Sequence, residues 1–419
     1  MMKEKSVEVR RAETLTIAAS CCGVTGETVL TDSAIILLYA SSLGAGNSGA
    51  LFSTSVLPLF NGLAVIPMAG LAPGIGVKKL ALTATAVSAI GYMIAALAPY
   101  LGGANTVILG VTCAALVQAG FIAGWFPLLN SFLQPENRVS FLGKMRFFHQ
   151  ISATAFVLLA GFWAGENPEK WHLQIMVTAA AIIFCGRFFC ILAVPDFPVQ
   201  RSGAGGNFLK NLKRAAADPV LRRFSFYQCL FNLGSYGMIP LALLYMKRIG
   251  VPDNITVIIS GLSFFGMISG YWLIRYLTGK TALRSIVAGL GLLCIPAAAG
   301  FLFLREIPET WGYILLALCL IGTSFSIAAF SVISSAVMMN LSPADNSAMS
   351  MAFNNAFYYG SAGLSRLLLS WVTGMVWFEQ FRGVFCVTGF GLLFFLSGMI
   401  MLFAVAISPF IFRNVDQKL

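Results

Sequence analysis

The sequence predicts an all-α membrane protein with twelve transmembrane helices in two pseudo-symmetric six-helix bundles. Three observations carry that expectation. The 419 residues are 58% hydrophobic and 10% charged, with a mean hydropathy of +0.83, whereas a soluble domain carries roughly 25% charged residues. The apolar residues gather into about twelve runs of bilayer-spanning length. One long polar stretch then divides those runs six and six.

The runs of the first half cover 15–42, 49–71, 80–101, 105–132, 147–165 and 172–194. Those of the second half cover 224–246, 255–277, 282–303, 312–339, 350–376 and 383–408. About 20 apolar residues cross the hydrocarbon core as a helix, and a helix satisfies its own backbone groups where no water can. The runs are too long and too evenly apolar for barrel strands. The first run, from Leu15, is also too long for a signal-peptide core and lacks a convincing cleavage site.

Residues 1–194 and 224–419 therefore read as two bundles joined by a linker over 195–223. The linker opens with Pro195-Asp196-Phe197-Pro198 and continues through Gly203-Ala204-Gly205-Gly206. It then becomes basic and helix-like at Lys210, Lys213, Arg214, Arg222 and Arg223, as a short surface helix would.

A formal charge of +11 would point to nucleic acid in a soluble protein. Here the basic residues sit between apolar runs, where they set orientation. Twenty Lys and Arg, Lys144 and Arg146 among them, fall on the side holding both termini and the linker, against five on the other. That bias predicts cytoplasmic termini. The simplest compartment is a bacterial inner membrane, and the simplest state a monomer. All nine cysteines, from Cys21 to Cys386, lie within apolar runs and read as buried thiols.

The halves echo each other. Leu133-Gln134-Pro135 ends the fourth run, and Leu341-Ser342-Pro343 ends the tenth. Internal repeats of this kind are common in secondary transporters, with the substrate near the midplane between them.

The loop between the second and third runs reads Ala69-Gly70-Leu71-Ala72-Pro73-Gly74-Ile75-Gly76-Val77-Lys78-Lys79. With twelve spans and a long central linker, this resembles the major facilitator superfamily, whose loop signature is Gly-x-Leu-Ala-Asp-Arg-x-Gly before a basic pair. Gly70, Leu71, Ala72, Gly76, Lys78 and Lys79 match; Pro73 and Gly74 stand where the family usually has Asp and Arg. A fainter copy runs from Gly270 through Arg275 to Gly279-Lys280. The resemblance implies a cavity lined by helices 1, 4, 7 and 10, with 2, 5, 8 and 11 contributing. Two features typical of drug–proton antiporters are missing: an Arg in the fourth helix, which reads Ala115-Leu116-Val117-Gln118-Ala119-Gly120, and a proline-rich fifth helix. Efflux of amphipathic compounds is therefore the second choice.

Ionisable residues inside spans are costly and become functional candidates. Four stand out: Glu27 and Asp32 in helix 1, Arg187 in helix 6 and Arg366 in helix 11. Their charges cancel, so pairing among them is the competing explanation. Glu27 lies on a helical stripe with Thr16, Ser20, Gly23 and Thr31; a carboxyl there can exchange a proton as a cavity opens to either side. Helix 11 offers Asn354 and Tyr358, and helix 7 offers Gln228, Asn232 and Tyr236. Asn61, Gln118 and Trp125 fall in helices 2 and 4. Interhelical hydrogen bonding competes with ligand contact at each Asn and Gln. Trp125 fits packing as well as stacking on a ligand ring. His149 and His172 read as interfacial.

Catalytic signatures are missing. Gly279-Lys280-Thr281 resembles the end of a phosphate-binding loop, but Ile274 stands where the required earlier glycine would be. There is no Gly-x-Ser-x-Gly, no His-Glu-x-x-His and no cysteine pair at metal spacing. The expectation is a non-enzymatic carrier without cofactor or metal. It would move a small polar organic solute, a sugar or organic acid, by alternating access, with a proton or sodium as coupling ion.

Overall fold

Backbone groups in lipid must be satisfied within each segment, and helices dominate the chain accordingly. The computed structural model describes residues 2–31, 33–133, 135–197, 208–277, 281–303, 309–343, 346–381 and 388–416. Asp32, Arg201, the Gly203–Gly206 stretch, Gly279, Lys280, Arg305, Arg382 and Lys418 lie outside the described residues.

Span 1 is α1 (Met2–Thr31) followed by α2 (Ala34–Ser42). Span 2 is α3 (Asn47–Ile75). Span 3 is α4 (Val77–Ala96), with the short α5 (Ala98–Leu101) behind it. Spans 4, 5 and 6 are α6 (Ala104–Asn130), α7 (Pro135–Ala164) and α8 (Lys170–Ala193). The linker carries α9 (Phe208–Ala217). Span 7 is α10 (Pro219–Ser235) with α11 (Met238–Arg248), and spans 8 to 10 are α12 (Asp253–Leu277), α13 (Leu283–Phe303) and α14 (Glu309–Leu341). Span 11 is α15 (Ser347–Thr373), followed by the short α16 (Val376–Gln380), and span 12 is α17 (Gly389–Asp416). Among the described residues, ten helical segments are long and apolar enough to cross a bilayer, α10 and α11 counted as one, and the bent pair α1–α2 makes an eleventh. The remaining span, α15, is 27 residues long; Asn354, Asn355, Tyr358, Tyr359 and Arg366 make it the polar one. The chain is a multi-pass membrane protein of twelve spans.

Three starts differ most from the sequence expectation. Span 1 begins at Met2, not 15, span 5 at Pro135, not 147, and span 7 at Pro219, not 224. At span 7, Asp218 caps the helix by accepting from the amides of Val220 and Leu221, and Pro219 fills the first position, where no amide donor is needed. At span 5, the apolar run begins only where the helix is already three turns old.

The same packing pairs recur in both halves. Span 1 packs on spans 5 and 6, span 2 on span 4, and span 3 on spans 4 and 6. In the second half, span 7 packs on spans 11 and 12, span 8 on span 10, and span 9 on spans 10 and 12. The two bundles meet along spans 2 and 11 and along spans 5 and 8. Backbones approach closely there: a methyl group on Gly363 would sit 2.3 Å from the Leu59 amide nitrogen, the close small-residue packing that helices use inside lipid.

The first span of each bundle is broken. Span 1 bends by 48° between α1 and α2, where Ser33 caps the second piece by accepting from the Ile35 amide. Span 7 breaks at Tyr236–Gly237. Broken spans leave carbonyl groups at mid-depth that need donors.

On the face that carries the linker, Gly76 takes a φ of +89°, open to glycine without strain, and its amide closes α3 on Ala72. Lys78 donates to the Val194 carbonyl (2.6 Å) and to Asp196 (2.8 Å), tying the loop between spans 2 and 3 to the start of the linker. Lys79 is exposed. Gly70 lies against the Phe208 ring of α9, and Asn346 donates to the Asn211 carbonyl on the same helix (2.9 Å). The linker helix therefore touches both bundles.

Candidate functional site

Between the bundles lies a cavity of about 230 Å³. That is room for several waters or one small organic molecule. Spans 1, 2 and 5 supply one wall; spans 7, 8, 10 and 11 supply the other. Span 4, expected from the family resemblance to be a principal wall, contributes none of the lining of this cavity.

Five of the sequence candidates meet here: Glu27, Asn61, Tyr236, Tyr358 and Arg366 all line the cavity. Glu27 forms an ion pair with Arg187 on α8, so pairing and cavity exposure coincide at this carboxylate. Arg187 is buried to 2% exposure. It donates through Nε to the Ala19 carbonyl (3.4 Å) and lies over the rings of Phe121 at 4.2 Å and Phe184 at 5.0 Å. Gly23 makes the pair possible. A Cβ there would fall 1.6 Å from Arg187 Nε, so the guanidinium crosses span 1 in the space that a side chain would take.

Arg366 works at the broken spans. Its Nη1 donates to the Thr31 carbonyl at the end of α1 (3.2 Å) and to the Thr54 carbonyl on span 2 (2.9 Å). Its Nε reaches the Tyr236 carbonyl (3.5 Å). A cation at helix C-termini is favoured by the exposed carbonyls and the macrodipole. This residue of the second bundle thereby holds two spans of the first. Tyr236 and Tyr358 are hydrogen-bonded through their hydroxyls, with rings edge to face at 5.8 Å.

The other candidates are engaged outside this lining. Gln118 accepts from the Tyr92 hydroxyl (2.7 Å). Trp125 is buried beside Phe121, ring to ring at 5.0 Å. Gln228 accepts from Ser334 (2.6 Å), Asn354 accepts from Ser225 (3.0 Å), and Asn232 donates to the Tyr358 carbonyl (3.0 Å). Each bond ties neighbouring spans within one bundle.

His149 and Gln150 are among the polar lining residues that the sequence did not single out. His149, expected at an interface, is buried in the middle of α7, lines the cavity and pairs through Nδ1 with the Ser20 hydroxyl at 2.8 Å. Gln150 beside it is also buried and lining. The signal was present in the Phe147–Gln150 stretch, where two polar residues follow two phenylalanines on a helix that begins earlier than the apolar run.

On the face away from the linker the bundles are joined by short polar contacts. Ser48 and Ser370 donate to each other's carbonyls at 2.7 and 2.8 Å, their hydroxyl oxygens 3.3 Å apart. The Ala34 amide meets Ser260 at 3.4 Å, and the Asp253 amide meets the Glu166 carbonyl at 3.3 Å. Among the described residues, no group of His, Cys, Asp and Glu is placed to hold a metal ion.

The chain resembles solved transporters over nearly its full length. It aligns with the D-xylose-proton symporter at a TM-score of 0.69 and 11% identity, covering 96% of this chain and 97% of that one. A mutant form of the nucleoside transporter NupG gives 0.68 at 15% identity, covering 96% and 99%. The E. coli fucose:proton symporter FucP gives 0.65 at 14%, covering 96% and 99%. At such identities the likeness shows the fold alone. No curated protein sequence matches. The family model described as Major Facilitator Superfamily matches residues 16–366. Twelve spans in two repeated bundles, closed around a cavity at their shared boundary, are what that match leads one to expect, and the chain belongs to the major facilitator superfamily.

Proposed function

We propose that this protein is a secondary active transporter that moves a small polar organic solute by alternating access, coupled to proton entry. The observation that carries the reading is the cavity itself. It lies at the boundary between the bundles, draws polar groups from both, and contains a carboxylate whose counter-ion is inside the protein. Rocking of one bundle against the other would expose such a cavity to either side in turn.

Glu27 is the coupling residue in this reading. Its side chain is 24% exposed while that of Arg187 is 2% exposed, so a proton arriving through the cavity meets Glu27 first. Protonation breaks the ion pair but does not strand Arg187, which keeps the Ala19 carbonyl and two aromatic faces. The carboxyl can thus change charge while the cation stays in place. Similar solved structures include proton symporters of D-xylose and fucose, which agrees with this direction of coupling. The family also implies a protein-only carrier, acting as a monomer without cofactor. The charge bias supports cytoplasmic termini and linker, and a bacterial inner membrane is the simplest compartment for such a carrier.

Uptake into proteoliposomes with an imposed pH gradient tests the reading. Wild type is expected to accumulate its solute, and Glu27→Gln to lose accumulation while retaining solute exchange. Gradient-driven accumulation by Glu27→Gln equal to wild type removes Glu27 from coupling.

A further inference from the structure

We propose that Arg146, Gln150 and Asn61 form the recognition end of the cavity, and that the solute is a small polyhydroxylated carboxylate. This rests on the carrier reading and names its substrate class.

Arg146 is the first observation. By sequence it counts among the basic residues that set orientation, but it lies inside the span Phe141–Ala164, one turn before His149 and Gln150. Its guanidinium donates to Ser331 (3.3 Å) and Ser335 (2.8 Å) on span 10 and sits 5.9 Å from the centre of the Tyr271 ring on span 8. Tyr271 and Ser331 both line the cavity, and Arg146 stands behind them, reaching it through these partners. Among the described residues, these partners are all uncharged. A half-buried guanidinium held only by hydroxyls and a ring remains a strong site for an anion, and its forked donors match the two oxygens of one carboxylate. One such cation suits one negative charge.

The second observation is independent of the first. Asn61 and Gln150 are each 3% exposed and line the cavity from spans 2 and 5. Among the described residues, Asn61 Oδ1 and Gln150 Nε2 are both buried with no hydrogen-bond partner. Leaving buried amide groups unsatisfied is costly, and an acceptor and a donor on two residues that line one cavity are what hydroxyl groups satisfy. A solute hydroxyl donates to Asn61 and another accepts from Gln150, while the carboxylate of the same molecule replaces the Ser331 and Ser335 contacts of Arg146. A neutral sugar leaves Arg146 unused, and a plain fatty acid leaves both amides unpaired.

The test is equilibrium binding to purified full-length protein with three sets of probes of four to seven carbons. The first set is polyhydroxy acids, gluconate and glucuronate among them; the second is the matching neutral sugars and polyols; the third is unsubstituted monocarboxylates. The first set is expected to contain the tightest binder. Arg146→Gln should weaken that binder by roughly ten- to a hundredfold and leave neutral sugars unchanged, whereas Arg146→Lys should restore part of the loss. Gln150→Leu should weaken the polyhydroxy acids but not the monocarboxylates. Neutral probes binding as tightly as the acids, acid binding untouched by Arg146→Gln, or no binding in any set each overturns the proposal. A probe that binds as expected but is never moved into proteoliposomes leaves this site standing and defeats the carrier reading instead.

Discussion

Gly23→Ala is the smallest change that strikes the centre of this account. The added Cβ would lie 1.6, 1.7 and 1.8 Å from three atoms of the Arg187 guanidinium. These atoms are the far end of a flexible side chain, so the clash is relieved by moving the head group, at the cost of its contacts with span 1 and with the rings of Phe121 and Phe184. Arg187 must leave, and Glu27 loses its partner. Breaking a buried ion pair from one side costs ~3–5 kcal/mol; the lost cation–π contacts, worth ~2 kcal/mol when desolvated, are part of the same event and are not added to it. Melting of the purified protein, followed by intrinsic fluorescence, is expected to fall by several degrees, and proton-driven accumulation to fail. Gly289→Ala is the control. It also lies within a helix, but nothing stands within 4 Å of its added Cβ, so alanine there should be neutral or stabilising by ~0.5–1 kcal/mol. In an Arg187→Met background, Gly23→Ala should cost much less, because the two changes share one interaction. Wild-type melting and wild-type accumulation in Gly23→Ala would refute the placement of Arg187 across span 1.

Two further outcomes follow from the packing. Gln118→Leu removes the acceptor of the Tyr92 hydroxyl and should lower stability by ~1–3 kcal/mol while leaving the KM for solute unchanged; a raised KM would place Gln118 in the binding site. Gly363→Ala drives a methyl group to 2.3 Å from the Leu59 nitrogen and wedges spans 2 and 11 apart. Overpacking of ~1–3 kcal/mol should shift the population between bundle arrangements about 5- to 150-fold, read as a changed distance distribution between spin labels on the two bundles. An unchanged distribution would mean that the spans 2–11 contact does not resist separation.

The fold was legible because lipid imposes it: apolar length, short polar breaks and one basic linker leave few alternatives. The site was only partly legible, for the same reason. An apolar run marks what faces lipid, and the face that lines a cavity interrupts such runs. Span 5 therefore appeared to begin at Phe147, which put His149 at a span end and Arg146 outside the span. Glu27 and Arg366 were visible because charges at mid-depth are rare; their partners were not, since the Thr31 carbonyl becomes available only where span 1 breaks, and those of Thr54 and Tyr236 only because Pro58 and Pro240, each four residues on, lack the amide that would bind them. Helical spacing gave no means of telling which polar face meets the cavity and which meets a neighbour. Gln118, Gln228, Asn232 and Asn354 bond within their own bundles, Gln228 and Asn232 each with one further buried atom unpaired, whereas Asn61 and Gln150 line the cavity.

In alternating access the two bundles must part on each face in turn. Ser48 and Ser370 allow a direct measurement, since their hydroxyl oxygens lie 3.3 Å apart across the bundle boundary, close enough for a disulfide. In a protein whose nine native cysteines are replaced, Ser48→Cys with Ser370→Cys should lose solute uptake into proteoliposomes on oxidation and regain it on reduction. Uptake by the fully cross-linked protein at the rate of the reduced one would contradict alternating access.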